Sequence, residues 1–325
     1  MDGGMIERRA ADAFAGWPPP VLDPAGPFAG PVTVLSWVLF VGGLAILLLV
    51  LAALLAALSG RGRLREALGR ERMVWLGGLA FPVVVLSALL IYGLSLTSRL
   101  TEAPTGEEMR IRVSGEMWWW RVSYLDAAGR EVLQDANELH IPVGRPVVLE
   151  LESPDVIHSF WVPRLSGKLD MIPGRRNLLR IQADEVGVYG GQCAEYCGGP
   201  HAFMGFQVVA LEPSAFAVWK ARQAAVPTAV TDPAFARGRE VFDASGCGAC
   251  HTIRATAANG LAGPDLTHVG ARRGLGAGVL ANGREPLKRW IRDNQTLKPG
   301  NRMPAYDMLS ERDLDDVAAW LEALK

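Results

Sequence analysis

The sequence predicts a multidomain chain: a two-helix transmembrane hairpin, then an all-β domain, then a small all-α domain. Three observations predict it. Two long apolar stretches lie between Pro31 and Leu96. Short alternating runs broken by Gly, Pro and Asp fill the middle of the chain. Two close cysteine pairs, Cys193 with Cys197 and Cys247 with Cys250, each have histidine and methionine nearby. A length of 325 residues is itself a soft prior for two or three domains.

The hairpin comes first. From about Val32 to Leu58 no charge interrupts the apolar run, and a second run extends from about Met73 to Leu96. Each exceeds the roughly 20 residues that carry a helix across a bilayer core. Buried core helices are rarely so long and so uniformly apolar. Pro82 lies inside the second run, which a membrane helix tolerates because neighbouring groups satisfy the freed carbonyl. Trp37, Trp75 and Tyr92 fall near the ends, where aromatic rings favour the interface. Between the runs Arg61, Arg63, Arg65, Arg70 and Arg72 outnumber Glu66 and Glu71. An arginine excess in a short loop marks the cytoplasmic side. Residues 32–97 are therefore expected to form a hairpin in a bacterial inner membrane. Both termini, including an N-terminal external segment over residues 1–31, belong on the periplasmic side. The first thirty residues hold no apolar core of the signal-peptide kind, so either the first helix acts as an uncleaved signal or a signal was removed upstream. A formal net charge of -1 gives no reason to expect nucleic acid as a partner; the lipid bilayer is one.

Beyond Ser98, runs such as Arg110–Val113, Val147–Glu152, Leu178–Gln182 and Phe206–Leu211 read as short strands of a β-sandwich or barrel over about residues 106–212. The chemistry sits in Gln192-Cys193-Ala194-Glu195-Tyr196-Cys197-Gly198-Gly199-Pro200-His201-Ala202-Phe203-Met204. This run offers two thiolates, an imidazole and a thioether, and His158 is available from an earlier strand end. A zinc site has little use for the thioether. Soft thiolate and thioether beside imidazole point to copper. Two cysteines suit a binuclear centre, in which both thiolates bridge and one imidazole caps each metal. Zinc, or cysteines idle in a loop, are the alternatives. The run Gly115-Glu116-Met117-Trp118-Trp119-Trp120 precedes a strand, and by itself reads as core packing. His140 has no ligand partners around it and reads as structural.

Residues 213–231 read as a short helix and a linker ending at Val226-Pro227-Thr228. Asp232-Pro233 then looks like a helix start, and the helix is expected to run into Cys247-Gly248-Ala249-Cys250-His251. C-x-x-C-H is the attachment signature of c-type haem; a thioredoxin-like pair would not require His251. The second iron ligand should come from Lys298-Pro299-Gly300-Asn301-Arg302-Met303-Pro304. Met303, held before a proline, is the candidate, and methionine opposite histidine raises the haem potential. Met308 is its rival, and His268 is read as structural. The last helix, Glu311–Leu324, starts after the N-cap candidate Ser310.

Two resemblances follow from these motifs. Asp155-Val156-Ile157-His158-Ser159-Phe160-Trp161-Val162-Pro163, then Asp170-Met171-Ile172-Pro173-Gly174-Arg175 and the cysteine loop resemble cytochrome c oxidase subunit II, from the hairpin to about Pro213. Residues 232–325 resemble a class I cytochrome c. The order of motifs is similar to oxidase subunits II with a fused haem c. The resemblance implies a cupredoxin barrel holding a dinuclear CuA centre. Cys193 and Cys197 would bridge the coppers, with His158 and His201 as caps and Met204 and the Glu195 carbonyl as further ligands. It implies that the Glu195 side chain helps bind magnesium against the catalytic subunit, with Asp170 at the same interface. It implies an electron-input tryptophan, Trp118 by position with Trp119 next. The expected partners are catalytic subunit I, further oxidase subunits, and cytochrome c or another redox donor. The expected function is relay of electrons through haem c and CuA to a subunit that reduces oxygen to water with proton pumping. No oxygen site lies in this chain. A CuA donor subunit of a nitric oxide reductase is the alternative; a quinol oxidase subunit would lack the copper ligands. The family often has a glutamate near the start of the second membrane helix. Counted from Trp75, that position is Arg72, with Glu71 beside it, and no role is assigned.

Overall fold

The structure, a computed structural model, describes residues 20–58, 62–100 and 108–325. Most of the expected external segment, Arg61 and the expected domain start at Gly106 lie outside the described residues. The chain divides into two compact units, Gly30–Ala103 and the remainder.

The first unit contains helix α1 (Gly30–Leu58), a short helix α2 (Gly62–Leu68) and helix α3 (Glu71–Leu100). Both α1 and α3 are long and apolar enough to cross a membrane. Their large side chains point outward: Leu58 is 74% exposed and Val84 67%. That arrangement is costly in water and favourable in lipid. Glu71 is in the first turn of α3, where its charge complements the helix dipole. Just before Pro82 the helix widens into a π-helical segment over Leu76–Ala80, with the Phe81 N–H donating to the Leu76 carbonyl. A proline ring clashes with the carbonyl four residues back, and the wider turn relieves that crowding.

The second unit opens with a strap. The Ala25 N–H donates to the Arg164 carbonyl and the Ala25 carbonyl accepts from Asp184 N–H. Ten strands then form two five-stranded sheets. One has the order β3 (Glu131–Ala136), β2 (Trp119–Leu125), β1 (Met109–Glu116), β5 (Val147–Glu152), β8 (Asn177–Ile181). The other has the order β4 (Glu138–Pro142), β10 (Gly205–Leu211), β9 (Gly187–Cys193), β6 (His158–Trp161), β7 (Leu169–Met171). The β1–β5 and β4–β10 pairs are parallel and the rest antiparallel. Alternate residues such as Ile111, Val113, Leu149, Leu151 and Val208 close the core between the sheets, with Trp120 and Phe160 among its largest members. The tryptophan run is a hairpin: Gly115 and Glu116 pair with Trp120 and Trp119, leaving Met117 and Trp118 at the turn.

Helix α4 (Pro213–Ala224) packs back on this domain rather than hanging free. Trp219 stacks on His140 with ring centroids 4.2 Å apart, and the His140 N–H donates to the Tyr124 hydroxyl. His140 is thus a packed core residue. The C-terminal part holds helices α5 (Ala236–Ala244), α6 (Arg284–Leu297) and α7 (Glu311–Ala323) around Phe242, Leu287, Leu314 and Trp320. Phe242 meets Trp320 edge-on at 5.3 Å. Asp232 and Ser310 accept from Ala234 N–H and Asp313 N–H as caps. The helix expected to run into Cys247 stops earlier, at Ala244. Gly246 takes a left-handed φ of 72°, and a separate turn over Cys247–Ala249 presents the cysteines. A residue with φ > 0 at a helix end stops the helix, and glycine bears it best.

Candidate copper and haem sites

Strand pairing builds the first site. β6 and β9 are neighbours, with Phe160 opposite Cys193, so His158 at the head of β6 lies beside Cys193 at the foot of β9. The β9–β10 connection, residues 194–204, carries the remaining donors, and a short helix over Gly199–Phe203 turns His201 inward. The result gathers every donor expected from the sequence. Cys193 Sγ and Cys197 Sγ are 3.7 Å apart, too far for the roughly 2.05 Å of a disulfide. His158 Nδ1 lies 3.9 Å from Cys193 Sγ, and His201 Nδ1 3.4 Å from Cys197 Sγ. Met204 Sδ is 3.8 Å from Cys197 Sγ, and the Glu195 carbonyl 3.2 Å from Cys193 Sγ. His158, Cys193 and Cys197 are buried, and their ligand atoms lie within 4.8 Å of one another. Two sulfurs, two imidazoles, a thioether and a carbonyl fit a pair of soft metal ions better than one tetrahedral zinc.

The electrostatics favour a metal. The Cys197 S–H, then His158 and backbone donors, draw the Cys193 thiol down toward thiolate. The neighbouring charge and burial push Cys197 the other way, so a bound cation is what allows both to ionise together. Burial alone would lower the His158 pKa; the Cys193 sulfur and Asp155 hold it above its usual value. Asp155 was not singled out as a site residue in the sequence, although it stands three residues before His158. Its Oδ1 is 2.9 Å from His158 Nε2, and its Oδ2 accepts the Met117 N–H at 2.8 Å. Such a carboxylate fixes which imidazole nitrogen faces the metal.

The three tryptophans separate. Trp120 is 1% exposed and packs on Phe160 and Phe206. Trp119 lies beneath the Arg121 guanidinium, 4.7 Å from its ring centre. Trp118 donates its indole N–H to the Cys197 carbonyl at 2.9 Å. Gly198 makes that approach possible, since at φ +109° a Cβ there would press on the Trp118 ring at 3.2 Å. Glu195 and Asp170 are both about half exposed and share Lys168, at 3.7 and 3.2 Å. Tyr196, beside them in sequence, is 76% exposed.

The second site is built on the Cys247–Ala249 turn. The His251 N–H donates to the Cys247 carbonyl, and His251 Nδ1 is 2.8 Å from the Pro264 carbonyl. That contact leaves Nε2 for iron. Gly263 packs so closely that a Cβ there would lie 2.6 Å from the imidazole, a cradle that holds the ring in place. Burial lowers the His251 pKa and so favours the neutral, ligating form. Met303 is packed against the domain core, its N–H bound to Asn301 Oδ1 and its carbonyl to Gln295 Nε2. Met308 is 74% exposed. His268 is buried and tied by Nε2 to the Ala225 carbonyl at 3.0 Å. The residues present fit a covalently held haem with histidine and methionine ligands.

The two parts touch along contacts that sequence spacing does not announce. Arg272 pairs with Asp135 at 2.9 Å, both buried. Glu138 accepts from the Arg273 and Gly274 N–H groups. Arg121 donates to the Leu261 carbonyl, and Gly205 N–H to the Ala277 carbonyl.

A β-sandwich with clustered copper-type donors, joined to a haem-binding helical domain and to two apolar helices, defines a membrane-anchored electron-transfer protein. The pattern of the periplasmic domain of cytochrome c oxidase subunit II matches residues 113–211, and that of cytochrome c matches residues 235–325. Cytochrome c oxidase subunit 2 of Alkalihalophilus pseudofirmus is 38% identical over 75% of this chain and 71% of its own length. That of Bacillus sp. strain PS3 is 30% identical, over 80% and 76%. The crystal structure of the periplasmic domain of subunit II of cytochrome oxidase from Bradyrhizobium japonicum is 30% identical, covering 37% of this chain and 95% of that one at a TM-score of 0.34. The chain belongs to the cytochrome c oxidase subunit II family and carries a cytochrome c domain after its cupredoxin-like domain. It is a subunit of an oxidoreductase complex.

Proposed function

We propose that this chain relays electrons one at a time from a cytochrome c or other donor, through a haem c, to a CuA centre and on to a catalytic subunit. That subunit reduces oxygen to water with proton pumping. The observation that carries the reading is the donor cluster: two thiol sulfurs 3.7 Å apart flanked by two imidazoles and a thioether. The same compact unit contains the C-x-x-C-H turn. Cys193 and Cys197 would bridge the copper pair, His158 and His201 cap it, and Met204 and the Glu195 carbonyl complete it. Cys247 and Cys250 would anchor the haem, with His251 and Met303 as its ligands. The two groups supply the one-electron carriers. The protein excludes water from the copper ligands, orients His158 through Asp155 and places the Trp118 ring against the Cys197 carbonyl. Residues 32–97 would span the inner membrane with both termini in the periplasm, residues 106–212 would form the copper domain, 213–231 the connection and 232–325 the haem domain. Glu195, with Asp170 nearby, would face the catalytic subunit and bind a shared magnesium ion.

The test is purification of the complex with its catalytic subunit. A mixed-valence dinuclear copper EPR signal, a c-type haem spectrum and oxygen consumption driven by reduced cytochrome c are expected. Nitric oxide reduction without oxygen reduction would overturn the reading.

A further inference from the structure

One of the buried charges outside both sites is a lysine. Lys298, at the end of α6, is 3% exposed. Its Nζ donates to the Trp118 carbonyl at 2.7 Å and to the Gly276 carbonyl at 2.9 Å. It makes no ion pair among the described residues. Carbonyl partners alone compensate a buried ammonium poorly, and burial pushes its pKa down to about 7. A neutral side chain would avoid that cost.

Lys298 completes a line of hydrogen bonds between the two sites. The Met303 N–H donates to Asn301 Oδ1 at 2.9 Å. Asn301 Nδ2 donates to the Lys298 carbonyl at 2.8 Å. Lys298 Nζ donates to the Trp118 carbonyl, and Trp118 Nε1 donates to the Cys197 carbonyl at 2.9 Å. Arg302, beside Met303, comes within 4.0 Å of Asp155, the partner of His158. The Arg272–Asp135 pair and the Glu138 contacts fasten the same two domains at β3 and β4.

We propose that Lys298 is a positioning residue for haem-to-copper electron transfer, clamping the Met303 loop onto the Trp118 hairpin so that the electron crosses at that contact. The inference rests on the relay proposed above. The step moves one electron: iron(II) becomes iron(III) as the copper pair gains the electron. No bond forms or breaks, no proton moves, and the external donor supplies the next electron.

The test uses the intact oxidase complex, with the haem reduced by a light flash and the copper pair followed optically. In the wild type the transfer should run at a rate independent of protein concentration; a rate proportional to concentration would refute the relay itself. Lys298→Met should slow the internal step at least ten-fold while leaving the haem potential unchanged and the rate of reaction with the external donor within two-fold. Amide exchange over residues 300–303 should quicken at least ten-fold in the same variant, a readout independent of turnover. Lys298→Arg should restore at least a third of the wild-type rate. Arg272→Gln loosens the same domain pair without touching the Trp118 link, and should stay within three-fold. Should Lys298→Met lose either cofactor, Lys298→Gln replaces it under the same criteria. A Lys298→Met rate within two-fold of wild type, or an Arg272→Gln rate equally slow, would overturn the assignment to Lys298.

Discussion

Asp155 is where the copper site can be perturbed without removing a ligand. Its carboxylate contacts His158 Nε2 at 2.9 Å and also holds the Met117 and Val156 N–H groups at 2.8 and 2.7 Å. Hydrogen bonds to a charged group are worth roughly 1.5–3 kcal/mol, and each ~1.4 kcal/mol is a factor of ten in affinity. Asp155→Ala should therefore weaken copper binding by about 10- to 100-fold, the usual range for a partner behind a metal ligand. Asp155→Asn keeps one acceptor oxygen, for His158 and Val156, but loses the charge and turns an NH2 toward the Met117 N–H, so about ten-fold is expected. His158 should lose part of what holds its pKa above the ordinary value, because Asp155 is one of the causes. The Ala variant also strands two backbone donors, at about 1–3 kcal/mol of stability each if they stay buried. The assay is copper competition against a chelator in the full-length protein in detergent, with the EPR signal as readout of the site and the haem spectrum as internal control. Copper affinity within two-fold of wild type in both variants would refute the reasoning. So would an equal loss of haem, which would point to general unfolding.

Cys193→Ser should abolish the mixed-valence copper EPR signal and leave the haem c spectrum intact, since bridging needs both thiolates and the haem turn lies in another domain; a normal signal would sink the copper assignment. Met303→Ala should lower the haem potential and open the iron to small ligands, whereas Met308→Ala, at a 74% exposed position, should do neither in a redox titration with carbon monoxide binding. Glu138 is raised from 4.5 to about 8 by burial and then by the Asp135 charge, against the Arg273 and Gly274 N–H groups and Arg272. The folded state thus holds a proton that the unfolded chain releases, so this contribution is full below about pH 4.5 and lost as pH rises through about 8. The Tm of the second unit should fall over that window, and Glu138→Gln should flatten the fall. Trp120→Ala should cost about 3–5 kcal/mol of stability by emptying the core between the sheets, measured by denaturant unfolding.

The membrane hairpin was legible because lipid accepts only long, nearly uncharged helical runs, a demand visible residue by residue from Val32 to Leu58. The candidate metal ligands were legible for a similar reason. Cys193, Cys197, His201 and Met204 lie on one short loop, and Cys247, Cys250 and His251 on one turn, so their chemistry is written in local spacing. His158 came from farther off and was found through the run Asp155–Pro163. Boundaries were less secure. The helix before Cys247 looked continuous because nothing in its composition before Gly246 announces a stop, yet a left-handed glycine ends it.

Pairing and contact across the fold had to come from the tertiary structure. The run Trp118-Trp119-Trp120 is one pattern in the sequence and three environments in the fold: a hydrogen bond to Cys197, a cation above the ring, and the bottom of the core. Alternation in a strand assigns faces, but a hairpin turn decides which indole reaches the copper loop. Lys298 and Trp118 are separated by 180 residues, and Arg272 and Asp135 by 137. A lysine before a proline or an arginine pair in a loop reads as solvent-exposed charge. It takes the docking of two domains to bury Lys298 and Arg272, because desolvation and partner geometry depend on which surfaces meet, and no local pattern encodes that. The sequence by itself determined which donors are candidates for two sites and that two apolar runs accompany them; the tertiary structure decided how the two candidate sites are joined.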